Sequence, residues 1–295
     1  MTVNVVTAPQ TAASWPAPAD TRMASLRAIY IIWYRDILRY WRDRGRLIAS
    51  LAQPLLFLVV FGSGLSSSLK SGLSFGAGGG SLTYIQFMYP GIIGMAILFS
   101  AIFGAMSIVW DREFGFLKEV LVAPIDRSSV AIGKALGSTT QAMIQGLILL
   151  VLAPFVGVRL SVLTVLTIIP LAAVVAFGLS AFGVALASWM KSLQGFQVVM
   201  NFLMMPMFFL SGALFPLTNL PGWMTVLTRL DPASYGIDPL RRVVLSESGL
   251  PSAAIDRLGL SINGTVLAIP LEAGIMLAFG AVMLTIAVIS FQRRD

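Results

Sequence analysis

The sequence predicts an all-α polytopic membrane protein, with six transmembrane helices preceded by an amphipathic interfacial helix. Three observations lead there. Apolar residues make up 57% of the 295 and charged residues only 11%, against roughly 25% charge in a soluble chain. The charges gather in short segments, separated by apolar runs of about 20 residues, long enough at about 1.5 Å per residue to cross about 30 Å of hydrocarbon. Those runs also lack the recurring polar face that a soluble helical bundle presents to water.

Residues 1–20 are rich in Ala, Pro and Thr and predict a disordered cytoplasmic tail. No basic start leads into an apolar core there, so they do not read as a signal peptide. Segment 21–46 predicts the interfacial helix. Leu26, Ile29, Tyr30, Trp33, Ile37, Tyr40 and Trp41 recur at spacings of three, four and seven, while Arg27, Arg35, Asp36, Arg39, Arg42 and Asp43 mostly occupy the rest of the helix. Such a helix lies in the membrane interface, with Trp33, Arg35, Arg39 and Trp41 as its anchors. The domain 47–295 then holds spans near 47–65 (with Pro54), 87–110, 135–156, 162–188, 196–215 and 267–291. Prolines 90, 170, 206 and 270 fall in or beside spans, where neighbouring helices can satisfy the freed backbone groups.

Orientation follows from the loop cations. With the amino terminus inside, fourteen Lys and Arg face the cytoplasm and six the outside. That asymmetry predicts both termini cytoplasmic in a bacterial inner (plasma) membrane. The outer loop 66–82 is Gly/Ser-rich and reads as a flexible connector. Segment 216–266 is too long and too apolar for a connector and predicts short extracytoplasmic re-entrant helices.

Composition excludes several functions. Cys and His are absent, which removes disulfides, Cys/His zinc sites and the commonest general base; no metal site is expected. The net charge of +7 sits beside apolar spans as a topology signal, so no nucleic-acid partner is expected. An intramembrane enzyme would need a nucleophile with a base or paired carboxylates, and neither is visible. Few ionisable groups lie inside the spans, with Glu272 the exception. This argues for an amphiphilic cargo over an ion pathway; the alternative is an ion-coupled secondary transporter.

Segment 111–129 carries the most information. Five charges fall within Asp111–Glu119, and Phe114, Leu117 and Leu121 recur at helical spacing. Pro124 and the run Asp126 to Ser129 read as a helix stop and a new helix cap. A short cytoplasmic helix here could dock into a soluble partner, or merely solvate the bilayer edge. In the fifth span, Met200, Phe202, Met204, Met205, Met207, Phe208 and Phe209 form an adaptable apolar stripe. Phe202, Met204, Met205 and Phe208 are candidates to line a substrate path, weighed against plain packing or lipid contact.

The chain resembles permeases of the type-2 ABC exporter family, including the daunorubicin-resistance-type drug exporters. After the second span, Asp111, Arg112, Glu113, Gly115 and Leu117 match that family's Glu-Arg-Glu-x-Gly-Thr-Leu-Glu-like sequence, with departures at Asp111, Phe116 and Lys118, and Glu119 adjacent to the last of these. Leu220, Pro221, Trp223, Pro232 and Tyr235, with Arg241 and Arg242 downstream, resemble its Leu-Pro-x-Trp and Asn-Pro-x-x-Tyr elements, Asp231 standing where Asn is frequent. The resemblance implies ATP-driven export of drug-like or lipid-linked substrates. It makes Arg112, Glu113, Gly115, Leu117 and Glu119 the ATPase-coupling residues, and Pro221, Trp223, Pro232 and Tyr235 the re-entrant loop. This chain has no phosphate loop, because Ser128 stands where a Gly would precede Gly133–Lys134, and Ala135 follows. ATP and Mg would therefore bind a separate nucleotide-binding subunit, and no cofactor this chain. Six spans suggest a half-transporter that pairs as a homodimer or with a second permease chain.

Overall fold

The computed structural model describes residues 21–69, 84–115, 126–158, 160–218, 220–262 and 265–293. The helices in chain order are α1 Thr21–Arg42, α2 Arg44–Leu69, α3 Tyr84–Glu113, α4 Arg127–Leu152, α5 Val162–Trp189, α6 Leu193–Leu210, α7 Gly222–Leu230, α8 Pro232–Leu245, α9 Ser252–Asp256 and α10 Ile269–Arg293. Among the described residues six helices are long and apolar enough to cross a membrane: α2, α3, α4 with its short 3-10 extension, α5, α6 and α10. A two-stranded antiparallel hairpin, β1 Ser261–Ile262 and β2 Thr265–Val266, precedes α10. The tail 1–20, most of the Gly/Ser-rich loop and positions 116–125 lie outside the described residues.

Local chemistry sets the boundaries. Asp126 occupies the cap position of α4, as expected, but its carboxylate accepts from the Ser25 hydroxyl of α1 at 2.6 Å rather than from the helix backbone. Ser161 and Ser192 cap α5 and α6 by accepting from Thr164 and Gly195 backbone N–H groups. The third span begins at Arg127 rather than at Ala135, because Lys134 finds counter-ions inside the protein. The sixth begins two residues later than expected, and α6 ends at Leu210.

Helix α3 is the hub. It is buried along most of its length and packs against α2, α4, α5, α6 and α8, while α10 closes on α4, α5 and α8. Helices α2 and α6 stand at the edge, their large apolar side chains outward: Val59 and Phe202 are exposed. Outward apolar surface costs nothing in lipid, which is as apolar as the core.

The first helix departs from its expected orientation. Its inner face is Ala28, Ile32, Asp36 and Tyr40, with Ile29, Trp33 and Ile37 half-buried beside them. Leu26, Tyr30 and Trp41, expected on one face with these, point outward with Ile31 and Tyr34. Helix α1 thus has two apolar sides, one against α4 and one for lipid. Small residues on α4 set the first: a Cβ on Gly133 would lie 3.0 Å from Ile32 side-chain atoms, and one on Gly137 3.2 Å from Asp36 Cβ. This i,i+4 pair lets two helix backbones approach closely.

Candidate coupling face and membrane cavity

Docking α1 on α4 buries charge. Lys134 of α4 has 2% of its side chain exposed and donates to Asp111 Oδ2 of α3 at 2.6 Å, to Asp36 Oδ1 of α1 at 3.1 Å and to Ser107 Oγ at 3.2 Å. Asp111 also accepts from Arg35 Nη2 at 2.8 Å and lies 3.6 Å from Arg39 Nη1. One ammonium therefore ties three helices together, with two arginines closing the open side. Trp33 Nε1 donates to Thr140 Oγ1 at 3.0 Å, adding an uncharged clamp between α1 and α4. Of the predicted anchors, Trp33, Arg35 and Arg39 take part in this joint, and Trp41 stands exposed outside it.

Immediately past Asp111 the chain reaches the predicted coupling residues. Arg112 Nη1 donates to the carbonyls of Ala187, Ser188 and Met190 at the carboxyl end of α5. Glu113 Oε2 accepts from Leu193 N, the first residue of α6, at 2.7 Å. Each charge meets the helix end whose partial charge it opposes, a cation at free carbonyls and an anion at free N–H groups. The acid expected to pair with a partner protein is thus bonded within its own chain, although it remains exposed. Gly115 has φ +83° with nothing within 4 Å of an added Cβ. Its role is the left-handed turn that stops α3. Leu117 and Glu119 lie outside the described residues.

Between α1, α2, α3 and α4 lies a cavity of about 410 Å³. Phe99, Phe103 and Trp110 of α3 form its apolar wall, and Arg39, Asp43 and Gln53 lie on its polar side.

The fifth-span stripe divides. Met204 and Phe208 are buried, Phe208 packing edge-on against Phe57 at 5.7 Å and Phe99 at 6.3 Å; Phe202, 82% exposed, and Met205 face outward. These four share no lining. Pro221 caps α7 and Trp223 is exposed, whereas Pro232 opens α8 and the Tyr235 hydroxyl donates to Arg229 O at 2.8 Å. Asp231, at the Asn position of the family sequence, caps α8 by accepting from Ala233 N.

Helix α8 is wedged among α3, α5 and α10 and is buried on nearly every side. Arg242 there lies 3.2 Å from Asp238 Oδ2 and 2.9 Å from Glu272 Oε1 of α10. Arg241 is fully buried over the Phe87 ring at 4.6 Å. At the end of α8 the Glu247 carboxylate accepts from Ser161 and Thr164, and those two hydroxyls hold its carboxyl below the usual range. Sequence reading missed both buried clusters. It placed Lys134, Arg241 and Arg242 in loops and took Glu272 as the exceptional ionisable group in the membrane. The one local signal was a lone Lys in the otherwise uncharged stretch between Arg127 and Arg159.

Comparison with known proteins follows the same outline. The model of the family described as ABC-2 type transporter matches residues 27–245. The chain is 28% identical over 81% of both chains to the putative transport permease ycf38 of Cyanophora paradoxa. It is 27% identical to nodulation protein J of Rhizobium meliloti (strain 1021), covering 79% of this chain and 84% of that one. To the inner membrane transport permease YadH of Escherichia coli (strain K12) it is 26% identical, covering 76% and 85%.

Proposed function

The chain belongs to the ABC-2 type transporter family of multi-pass transport permeases, and from that premise we propose that it is the membrane subunit of an ATP-driven exporter for an amphiphilic, drug-like or lipid-linked substrate. It works with a separate ATPase subunit that binds ATP and Mg, and with a second permease chain, in the inner membrane. One observation carries this reading. The end of α3, just before segment 116–125, is joined by Arg112 and Glu113 to the α5–α6 turn and by Asp111 to α1 and α4. A partner pressing on that segment would move five helices as one body, the rigid-body kind of change that alternating access requires. Leu117 and Glu119 would touch the ATPase, and Arg112 and Glu113 would pass the motion inward.

Affinity purification of the chain from its native membranes is expected to recover an ATPase carrying the phosphate-loop sequence, while the chain alone hydrolyses no ATP. Leu117→Ala with Glu119→Ala should lower ATPase recovery about thirtyfold, the cost of truncating a buried interface anchor. Arg112→Ala should leave recovery unchanged and abolish transport. Normal recovery and transport in the Leu117/Glu119 double variant would remove this segment as the coupling element.

Both termini face the cytoplasm in this reading. The buried Lys134, Arg241 and Arg242 are weak topology signals; without them the inner excess stands at thirteen cations to four. Single cysteines at positions 72 and 252 of this Cys-free chain should react with an impermeant thiol reagent added outside, Ser252 being exposed where Leu250 is buried. One at position 118 should not, and its labelling would reverse the topology.

The buried acids favour one other reading, an ion-coupled transporter. Each acid in the two clusters lies within ion-pair distance of a cation, which stabilises a fixed charge more than a travelling proton. Transport that persists without ATP and stops with an uncoupler would favour the alternative.

A further inference from the structure

We propose that the cavity between α1, α2, α3 and α4 is a binding site for an uncharged amphiphile of the bilayer, one that carries hydroxyl or amide groups at the head of an apolar chain. Unpaired polar groups in the lining point to it. Gln145 of α4 is 1% exposed and Ser100 of α3 8%, and both line the cavity. Gln145 Oε1 accepts from the Tyr40 hydroxyl at 3.4 Å, but its Nε2 has no hydrogen-bond partner among the described residues. The Ser100 hydroxyl has none either, nor has the side-chain amide of Gln53 on the α2 wall. Pro54, having no N–H, leaves the Ser50 carbonyl without its helical partner, and both of these residues line the cavity too. Within a membrane protein such groups stay unmet unless water or a ligand meets them. The lining thus offers both donors and an acceptor, the complement of a hydroxyl or an amide, which gives and takes a hydrogen bond.

Charge and shape set the rest of the class. The charged lining residues, Arg39 and Asp43, are one of each sign, so the wall has no net charge with which to select an ionised head. Phe99, Phe103 and Trp110 of α3 supply an aromatic wall for a chain. At about 410 Å³ the cavity falls within the usual range for small-molecule sites, with room for a head and the first part of its chain. Water alone would meet the amides but leave three aromatic side chains wet, whereas an amphiphile serves both walls. Helix α2, whose span is little buried by the rest of the chain, is the wall next to lipid, which makes the bilayer the source of the ligand.

The site does not depend on the exporter reading, and its test uses the permease alone, without ATPase or ATP. The chain is reconstituted in phosphatidylcholine bilayers containing either a brominated monoacylglycerol or the methyl ester of the same brominated acid, which lacks the two hydroxyls. Quenching of Trp110 is taken as the difference between the chain and its Trp110→Phe variant. Half-quenching is expected at about tenfold less monoacylglycerol, the factor supplied by meeting a buried polar group otherwise left unpaired. Gln145→Leu with Ser100→Ala should remove that preference. Ser100→Ala alone, a change too small to unfold the chain, should reduce it about threefold. Equal quenching by the two compounds, the result for a cavity that holds only water, overturns the proposal, as does a preference that survives the double variant. Brominated phosphatidic acid that quenches at lower concentration than the monoacylglycerol would refute the uncharged class. Glycerol is the last arm: competition as strong as that of unbrominated monoacylglycerol would make this a bare polyol site and refute the amphiphile. Failure to recover an ATPase would leave all these outcomes readable.

Discussion

Replacing Lys134 by alanine is expected to destabilise the chain by about 3–5 kcal/mol, the range for removing one partner of a buried ion cluster. Among the described residues the ammonium is the only buried cation within hydrogen-bond reach of both Asp36 and Asp111. Without it, two carboxylates buried between α1, α3 and α4 face each other, with only the part-exposed Arg35 and Arg39 to compensate. The loss should appear as a shifted SDS-unfolding midpoint in mixed micelles, with Lys191→Ala, an exposed cation, as control within about 0.5 kcal/mol. The triple variant Asp36→Asn, Asp111→Asn, Lys134→Met should regain most of the stability, because neutral groups carry no desolvation penalty of that size. If Lys134→Ala unfolds like the control, the cluster contributes no more than a surface ion pair.

Arg242→Ala should cost about 3 kcal/mol or more for the same reason at the other buried cluster. Its guanidinium spans Asp238 on its own helix and Glu272 on α10, both with side chains 0% exposed. Arg242→Lys should recover only part of the loss, since a single ammonium lacks the planar fork that reaches two carboxylates at once. The adjacent arginine supplies the contrast. Arg242 Nε and Nη2 lie within ion-pair distance of two carboxylates, without hydrogen-bond geometry, whereas Arg241 has neither an ion pair nor a hydrogen-bond partner for its guanidinium among the described residues, so Arg241→Met should be nearly neutral or stabilising. It removes a desolvated cation and keeps apolar volume over Phe87. The same unfolding titration checks both, and equal losses at positions 241 and 242 would contradict the pairing.

Together the clusters alter one step of the sequence argument. Scarcity of ionisable groups spoke against an ion pathway, yet Asp36, Asp111, Lys134, Asp238, Arg241, Arg242 and Glu272 are all buried. What weighs against an ion pathway now is that each acid among them lies 2.6–3.3 Å from a cation, on its own helix or across a helix contact, which fixes charge in place. The predicted substrate-path residues change in the same way. Met204 and Phe208 are core, Phe202 and Met205 are surface, and the polar-edged cavity lies between α1, α2, α3 and α4, with no residue of α6 in its lining.

Hydropathy and spacing alone determined the number of spans, their approximate ends, the helix before them and the start of a helix after Asp126. Each depends on chemistry within a single segment: a run must match the bilayer thickness, and a helix starts most readily after a short polar residue. Only the tertiary structure decided which face of each helix packs and which charges are buried. A side chain turned to lipid and one turned to protein are equally apolar, so the period that marks the core of a soluble helix says nothing about Met204 against Met205. The charges pose the converse problem. Asp36 in an arginine-rich helix reads as solvated, and Lys134 as a loop residue. They become a joint only when two helices nearly a hundred positions apart, Asp36 and Lys134 facing each other at 3.1 Å, meet across the glycines that let their backbones approach.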